Sequence, residues 1–259
     1  MLILLSPSKT MNFKDPYYHN FRSPAHAIMS SILASRIKKY SLKQLSQLYQ
    51  TSPTLTQDIY TVWSSFDTPD NPRSIAVFAY RGETYLGLGV QTMSKEDLEY
   101  ADAHLVILSG LYGYLKPLDI IQPYRLELNN PFVPPFKSKT LKKLWSNIVT
   151  GYLKTDLEVE PIHASILINL ASSEYSSIIV RSIAKQWIDV VFYEKVGAEL
   201  ITKTVFTKRA RGLMARYIVQ NRIESAEGLR DFDTSGYKYD IKLSTFGKFV
   251  FVRKPQTKG

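Results

Sequence analysis

Apolar residues recur at two different periods along this chain, and the periods divide it into strands and helices. Leu2–Leu5 is an unbroken apolar run closed by Ser6-Pro7, the mark of a buried strand running into a loop. From Pro24 to Phe66 the spacing is helical: Ile28, Ile32 and Leu33, then Leu42, Leu45 and Leu48, then Leu55, Ile59 and Val62. Ser41 and Thr54 stand where N-caps belong, and Pro53 marks a fresh start, so the block predicts three helices.

Beyond a turn at Thr68–Pro72, Ile75–Tyr80 and Thr84–Leu88 flank Arg81-Gly82-Glu83 and predict a β-hairpin. Ser94 and Asp97 have the spacing of a capping box and open a helix to Ala103. His104–Leu108 and Pro123–Leu128 predict strands, and Lys139–Leu153 a helix with Leu141, Leu144, Trp145 and Ile148 inward. Ser165–Leu170 is another buried strand, and Val190–Tyr193 with Glu199–Phe206 predict a hairpin around Lys195-Val-Gly197. A helix over Lys208–Arg222, a short one over Ser225–Phe232, and a hairpin of Tyr237–Ile241 with Lys248–Val252 complete the chain. Strands spread from Leu2 to Val252 with no linker or internal repeat predict one mixed α/β (α+β) domain over residues 1–259. It has a central mixed β-sheet flanked by helices, with an N-terminal helical block over residues 24–66. The last six residues are expected to fray.

The helix at 208–222 is the most unusual segment. At about 100° per residue, Lys208, Arg209, Arg211, Arg216 and Arg222 share one half of the wheel, and Ala210, Leu213, Met214, Tyr217 and Ile218 share the other. No acid lies between Glu199 and Glu224. The whole chain carries 33 Lys and Arg against 23 Asp and Glu, a net charge of +10, which favours polyanionic partners. A chain without cysteine has no disulfide, thiolate nucleophile, Cys-type zinc site or Cys-ligated cluster. Its four histidines show no metal-ligand spacing, so no metal and no cofactor is expected. The opening apolar run is too short for a signal peptide and nothing approaches a membrane span, so a cytoplasmic protein is expected.

Three loops leave apolar strands carrying polar residues. They are Ser6-Pro-Ser8-Lys9-Thr10, Ser109-Gly110-Leu-Tyr112-Gly113 and Asn169-Leu-Ala-Ser-Ser-Glu174-Tyr175. Strand ends of open α/β sheets are where ligands collect. Lys9, with the hydroxyls of Ser8 and Thr10, suits a phosphate, although no Walker A pattern is present. Gly110 and Gly113 permit close backbone approach, and Tyr112 could stack on a ring; a tight turn with core aromatics accounts for the same residues. Arg125 and Glu127 share one face of their predicted strand, placed to pair with each other or to give Arg125 to an anion.

These segments together resemble the YaaA peroxide-stress family. The resemblance rests on LLSPSKT at Leu4–Thr10, AVFAYRGETYLGL at Ala76–Leu88, HLVILSGLYGYLKPLDIIQPYRLEL at His104–Leu128, INLASSEY at Ile168–Tyr175 and KRARGLMARYIVQNR at Lys208–Arg222. It implies a cytosolic protein tied to protection from hydrogen peroxide and lower free iron, with a positive cleft, a helix-hairpin-helix-like element and DNA binding. It places Lys9, Arg125, Asn169, Glu174, Lys208, Arg209 and Arg211 in family motifs, with Ser8 where the family commonly has Ala. It implies no established reaction.

Two functions follow as expectations. The first is DNA binding of weak sequence specificity, as a monomer, with phosphates held by Lys9, Arg125, Lys208, Arg209, Arg211 and Arg216. The second is an enzyme acting on a nucleotide or a nucleic-acid end, with Glu174 as general base, if the loops of Lys9, Arg125, Asn169 and Glu174 converge.

Overall fold

A computed structural model describes residues 1–14, 22–159 and 165–255. Strand β1 (Leu2–Leu5) is buried throughout, as its unbroken apolar run requires. Helices α1 (Ala27–Ile37), α2 (Leu42–Tyr49) and α3 (Pro53–Ser65) follow. Ser41 forms a full capping box with Gln44. Ser52, not Thr54, caps α3, because Pro53 with its fixed φ already occupies the first helical position.

The hairpin expected over 75–88 is helical. A short strand, β2 (Ser74–Ile75), leads into α4 (Ala76–Ala79) and α5 (Glu83–Leu88), with Gly82 and Gly89 bracketing α5 at positive φ. Ala76, Val77, Ala79, Tyr80, Tyr85 and Leu88 are all buried, so apolar residues surround these short elements and no face shows a period. Next come α6 (Lys95–His104), opened by the expected capping box of Ser94 and Asp97, then β3 (Leu105–Ser109), β4 (Gly113–Leu115) and β5 (Ile120–Ile121). Residues 123–128 form no strand. Tyr124, Leu126 and Leu128 are buried while 123, 125 and 127 are less so; the alternation is real, but no ladder partner accompanies it.

The remaining elements are α7 (Leu141–Val159), β6 (Ile166–Asn169), α8 (Ser173–Ser176), β7 (Gln186–Val196), β8 (Glu199–Ile201), α9 (Thr204–Asn221), β9 (Lys238–Tyr239) and β10 (Lys248–Arg253). The strand expected over 199–206 stops at Ile201, and the basic helix begins at Thr204. The short helix expected over 225–232 is a 3-10 turn, Glu227–Asp231. The last four of the six residues expected to fray lie outside the described residues.

The main sheet has eight strands in the order β4-β3-β1-β6-β7-β10-β9, with β8 on β7. Strands β3, β1, β6, β7 and β10 are parallel to their neighbours; β4, β8 and β9 join antiparallel. This is the expected mixed α/β single-domain fold. Because β1 and β6 run side by side in the same direction, the loops leaving them emerge at the same edge. No helix among the described residues is long and apolar enough to cross a membrane.

Helix α9 is wedged between the sheet and α5. A Cβ on Gly212 would fall 1.8 Å from the Thr84 carbonyl oxygen, and one on Gly87 would fall 2.3 Å from that of Arg209. The two backbones are in contact there, and only glycine leaves the room. Ala215 and Val219 are also buried, on the half of the wheel that carries the arginines. The helix therefore does not offer an open basic face.

Gly212→Ala is expected to destabilise the protein by about 3 kcal/mol, at the upper end of overpacking costs. Gly151→Ala, in α7 with nothing within 4 Å of the new methyl, is expected to stabilise by about 0.5–1 kcal/mol. Urea unfolding of the two variants beside the parent checks both signs.

Candidate functional site

Two serines hold the loops after β1 and β6 together. The Ser172 amide donates to Ser6 Oγ at 2.8 Å, Ser6 Oγ reaches Ser172 Oγ at 3.3 Å, and the Leu170 amide donates to the Leu4 carbonyl at 3.0 Å. Helix α5 is tied to the same point, since Tyr85 donates its hydroxyl to the Ser6 carbonyl at 3.0 Å. Segment 125–129, which ends in a turn, closes the opposite side. Lys9 pairs with Glu127 at 2.5 Å, and the Asn129 amide donates to Glu174 at 3.0 Å.

These elements enclose a cleft of about 410 Å³, within the range of small-ligand sites. Its lining brings together five basic side chains, Lys9, Arg81, Arg125, Lys208 and Arg211, and three acidic ones, Glu83, Glu127 and Glu174. Glu127 is engaged by Lys9, and Glu83 by Arg209 at 3.4 Å. Arg125 and Arg211 have no ion-pair partner among the described residues, and the Nε of each is buried without a hydrogen bond. Burial alone lowers the Arg211 pKa from its ordinary value. A buried guanidinium Nε–H left without an acceptor carries a desolvation cost that an anion in the cleft would relieve.

The first turn of α9 faces the same space: Thr204 and Val205 line it, and no side chain caps the helix. Free amides and the positive end of the helix dipole favour an anion there. The remaining wall is aromatic, from Tyr85, Tyr124 and Tyr175.

The sequence candidates therefore divide. Ser8, Lys9, Arg125, Glu174, Lys208 and Arg211 line one cleft. Arg209 and Arg216 do not. Arg216 donates to the Leu88 and Gly89 carbonyls at 3.1 and 2.8 Å and so caps the C-terminus of α5. Arg222 pairs with Asp97 at 2.9 Å. Of the five basic residues on the predicted face, Lys208 alone is exposed without a partner among the described residues. Glu127 pairs with Lys9 rather than with Arg125.

Gly110, Tyr112, Gly113 and Asn169 also lie outside the cleft lining. Gly110 and Gly113 turn β3 into the antiparallel β4, so they do not form a hairpin between helices. A Cβ on Gly110 would meet the Leu126 carbonyl oxygen at 2.3 Å, and one on Gly113 the Trp145 ring at 2.2 Å. Tyr112 is buried and its hydroxyl accepts from the Gln122 amide at 3.1 Å. Asn169 donates to Asp189 at 2.7 Å and accepts from the Ala171 amide at 3.0 Å, pinning β6 to β7. Among the described residues no group of three or more His, Asp or Glu could hold a metal ion.

The lining also holds Tyr85 and Thr204, which no sequence pattern singles out, Tyr175, which the sequence places only in the loop of Glu174, and Arg81 and Glu83, which belong to a helix entrance where the pattern suggests a hairpin. The glycines at 82 and 89 were the available signal, since they bracket a helix as well as they punctuate a hairpin.

Burial raises the Asp189 pKa, but hydrogen bonds from Asn169 and Trp187 and the charge of Arg181 outweigh it and leave the pKa below its ordinary value. A lowered carboxyl pKa contributes stability that is present above the unfolded pKa and lost as pH falls through the folded one. Asn169→Ala is expected to cost about 1.5–3 kcal/mol at pH 7, the loss of a hydrogen bond to a charged group. The cost should shrink as the pH is taken below the unfolded carboxyl pKa of about 4. Unfolding free energies at the two ends of that range check it.

Comparison with known proteins places the chain among a well-populated group. A family model described as "Peroxide stress protein YaaA" matches residues 1–243. A UPF0246 protein of Burkholderia lata is 37% identical over 259 residues, covering 98% of this chain and 99% of the relative. A UPF0246 protein of Tolumonas auensis is 38% identical over 261 residues, with 99% and 98% covered. One from Legionella pneumophila is 37% identical over 258 residues, with 98% and 99% covered.

Proposed function

The chain belongs to the peroxide stress protein YaaA family, and on that premise we propose that it acts in peroxide defence by binding DNA through the cleft, with the strand's phosphates held there. Lys9, Arg125, Lys208 and Arg211 are the phosphate ligands in this reading, and the first turn of α9 adds backbone amides. The observation that carries it is the pair of half-buried guanidinium groups, Arg125 and Arg211, with no carboxylate partner among the described residues in one cleft. Binding to phosphate rather than to base edges gives weak sequence specificity. Arg209, Arg216 and Arg222 have protein partners and contribute less than their charge suggests. The protein works in the cytoplasm in this reading, and limiting iron-driven damage to DNA is its physiological consequence.

A second reading is favoured by Glu174, whose carboxylate shares the cleft with those cations. There it would serve as general base toward a nucleotide or a nucleic-acid end. Product analysis of end-phosphorylated oligonucleotides incubated with the parent and with Glu174→Gln tests it; unchanged oligonucleotides with both proteins dispose of it.

Fluorescence anisotropy with a 5′-phosphorylated oligonucleotide, single-stranded and duplex, over a range of salt tests the first reading. Arg211→Ala and Arg125→Ala should each weaken binding about tenfold and reduce the log–log salt slope by about one. Arg209→Ala should stay within about twofold, because that side chain lies outside the cleft. Salt-insensitive binding, or equal losses at Arg209 and Arg211, would sink the cleft as the site.

A further inference from the structure

The floor of the cleft contains a hydroxyl whose hydrogen bonds do not balance within the protein. Tyr124 lines the cleft, and its Oη lies 2.6 Å from Tyr80 Oη and 2.7 Å from Ser109 Oγ. Ser109 Oγ already accepts from the Leu111 amide at 3.2 Å and the Tyr112 amide at 3.0 Å. A serine oxygen has two acceptor positions and one proton. Both positions are filled by backbone amides, so the Ser109 proton goes to Tyr124.

The Tyr80–Tyr124 contact has two possible directions. If Tyr124 donated, the proton of Tyr80, which is fully buried, would have no acceptor among the described residues. An unmet buried donor costs about 1–3 kcal/mol. If Tyr80 donates, Tyr124 accepts two hydrogen bonds, and its own proton is the one left over. Unlike Tyr80, Tyr124 borders the cleft.

We propose that Tyr124 is a ligand-contacting hydrogen-bond donor of the cleft, set in that role by Ser109 and Tyr80. The inference rests on the reading of the cleft as a phosphate site and narrows its occupant. The occupant is a phosphate-bearing molecule that presents a second acceptor, an oxygen or nitrogen, to the tyrosines that share the cleft lining with the cations. A nucleotide unit has this form; inorganic phosphate does not. Tyr175 supports the assignment: it is buried in the cleft wall and its hydroxyl has no protein partner among the described residues. Burial pushes the Tyr124 phenol up to about 12, with the bonds from Ser109 and Tyr80 opposing the rise. It therefore stays protonated, and a donor, at neutral pH.

The test uses the full chain with 3-fluorotyrosine in place of tyrosine, observed by fluorine NMR and assigned at position 124 with Tyr124→Phe. The probes are a 5′-phosphorylated thymidine dinucleotide and inorganic phosphate, and Arg211→Ala is the control for phosphate binding. The expected result is a shift of the Tyr124 signal with the dinucleotide and none with phosphate. Tyr124→Phe should bind the dinucleotide about tenfold more weakly and keep its affinity for phosphate. Dinucleotide binding that Arg211→Ala abolishes, with the Tyr124 signal unmoved, overturns this inference and leaves the phosphate site standing. No binding of either probe overturns both. Loss of thermal stability in Tyr124→Phe with unchanged dinucleotide affinity assigns Tyr124 to structure and also overturns it. Should Tyr124→Phe fail to fold, Ser109→Ala assigns the signal by perturbing it, and the parent spectrum decides.

Discussion

The crossing of α5 and α9 is the contact on which the cleft depends. Gly87 and Gly212 let the two backbones touch, and that contact fixes where α9 starts and which way its residues turn. Displace it by the width of a methyl group and three things move together: the first turn of α9, the guanidinium of Arg211, and Tyr85, through which α5 is bonded to the end of β1. Arg216 reinforces the crossing from the other side by bonding the last carbonyls of α5. A basic residue on a helix has thus been used as a cap, and its charge is spent inside the protein.

The rest of the cleft follows from parallel pairing. With β1 and β6 adjacent and codirectional, Ser6 and Ser172 meet at the sheet edge and lock two loops that are far apart in sequence. Segment 125–129 then bridges them, offering Glu127 to Lys9 and the Asn129 amide to Glu174. Each acid in the cleft has a specific partner, whereas Arg125 and Arg211 do not. That imbalance, more than the total charge of +10, gives the site its character. Net charge speaks to association in general, while an unpaired guanidinium within a cavity speaks to one ligand.

Much of this was legible in the sequence. The buried strands announced themselves as apolar runs, the N-cap at Ser41 and the capping box at Ser94 sat where the residues indicated, and the loops of Lys9 and Glu174 did converge. What could not be read was burial on more than one side. Periodicity reports a face only when one face is wet, so α5 passed for a strand, and the basic half of α9 passed for a surface. The small residues Gly212 and Ala215 among the arginines were the sign of a second packing partner. Residues 123–128 failed for the opposite reason: their alternation was correct, but a strand needs a neighbour, and that lies elsewhere in the chain. The hydroxyl chain from Ser109 to Tyr124 and Tyr80 depends on three separate elements and has no local signature.

The position of β1 in the sheet also has a bearing on how the protein comes to be made. Its four apolar residues are made before both of their partners, β3, beginning at Leu105, and β6, ending at Asn169. Until β3 has emerged the strand has two bare edges, and until β6 has emerged it still has one. Pairings over such separations form slowly, because the loop must close before any contact rewards it. Synthesis at about 5–20 residues per second leaves a sticky edge uncovered for roughly ten seconds or more. The helical block that follows β1 draws its buried contacts from the same common core, so it cannot shield the strand by itself. The nascent chain thus carries an unpaired apolar strand, and demand for chaperone protection is concentrated in that interval.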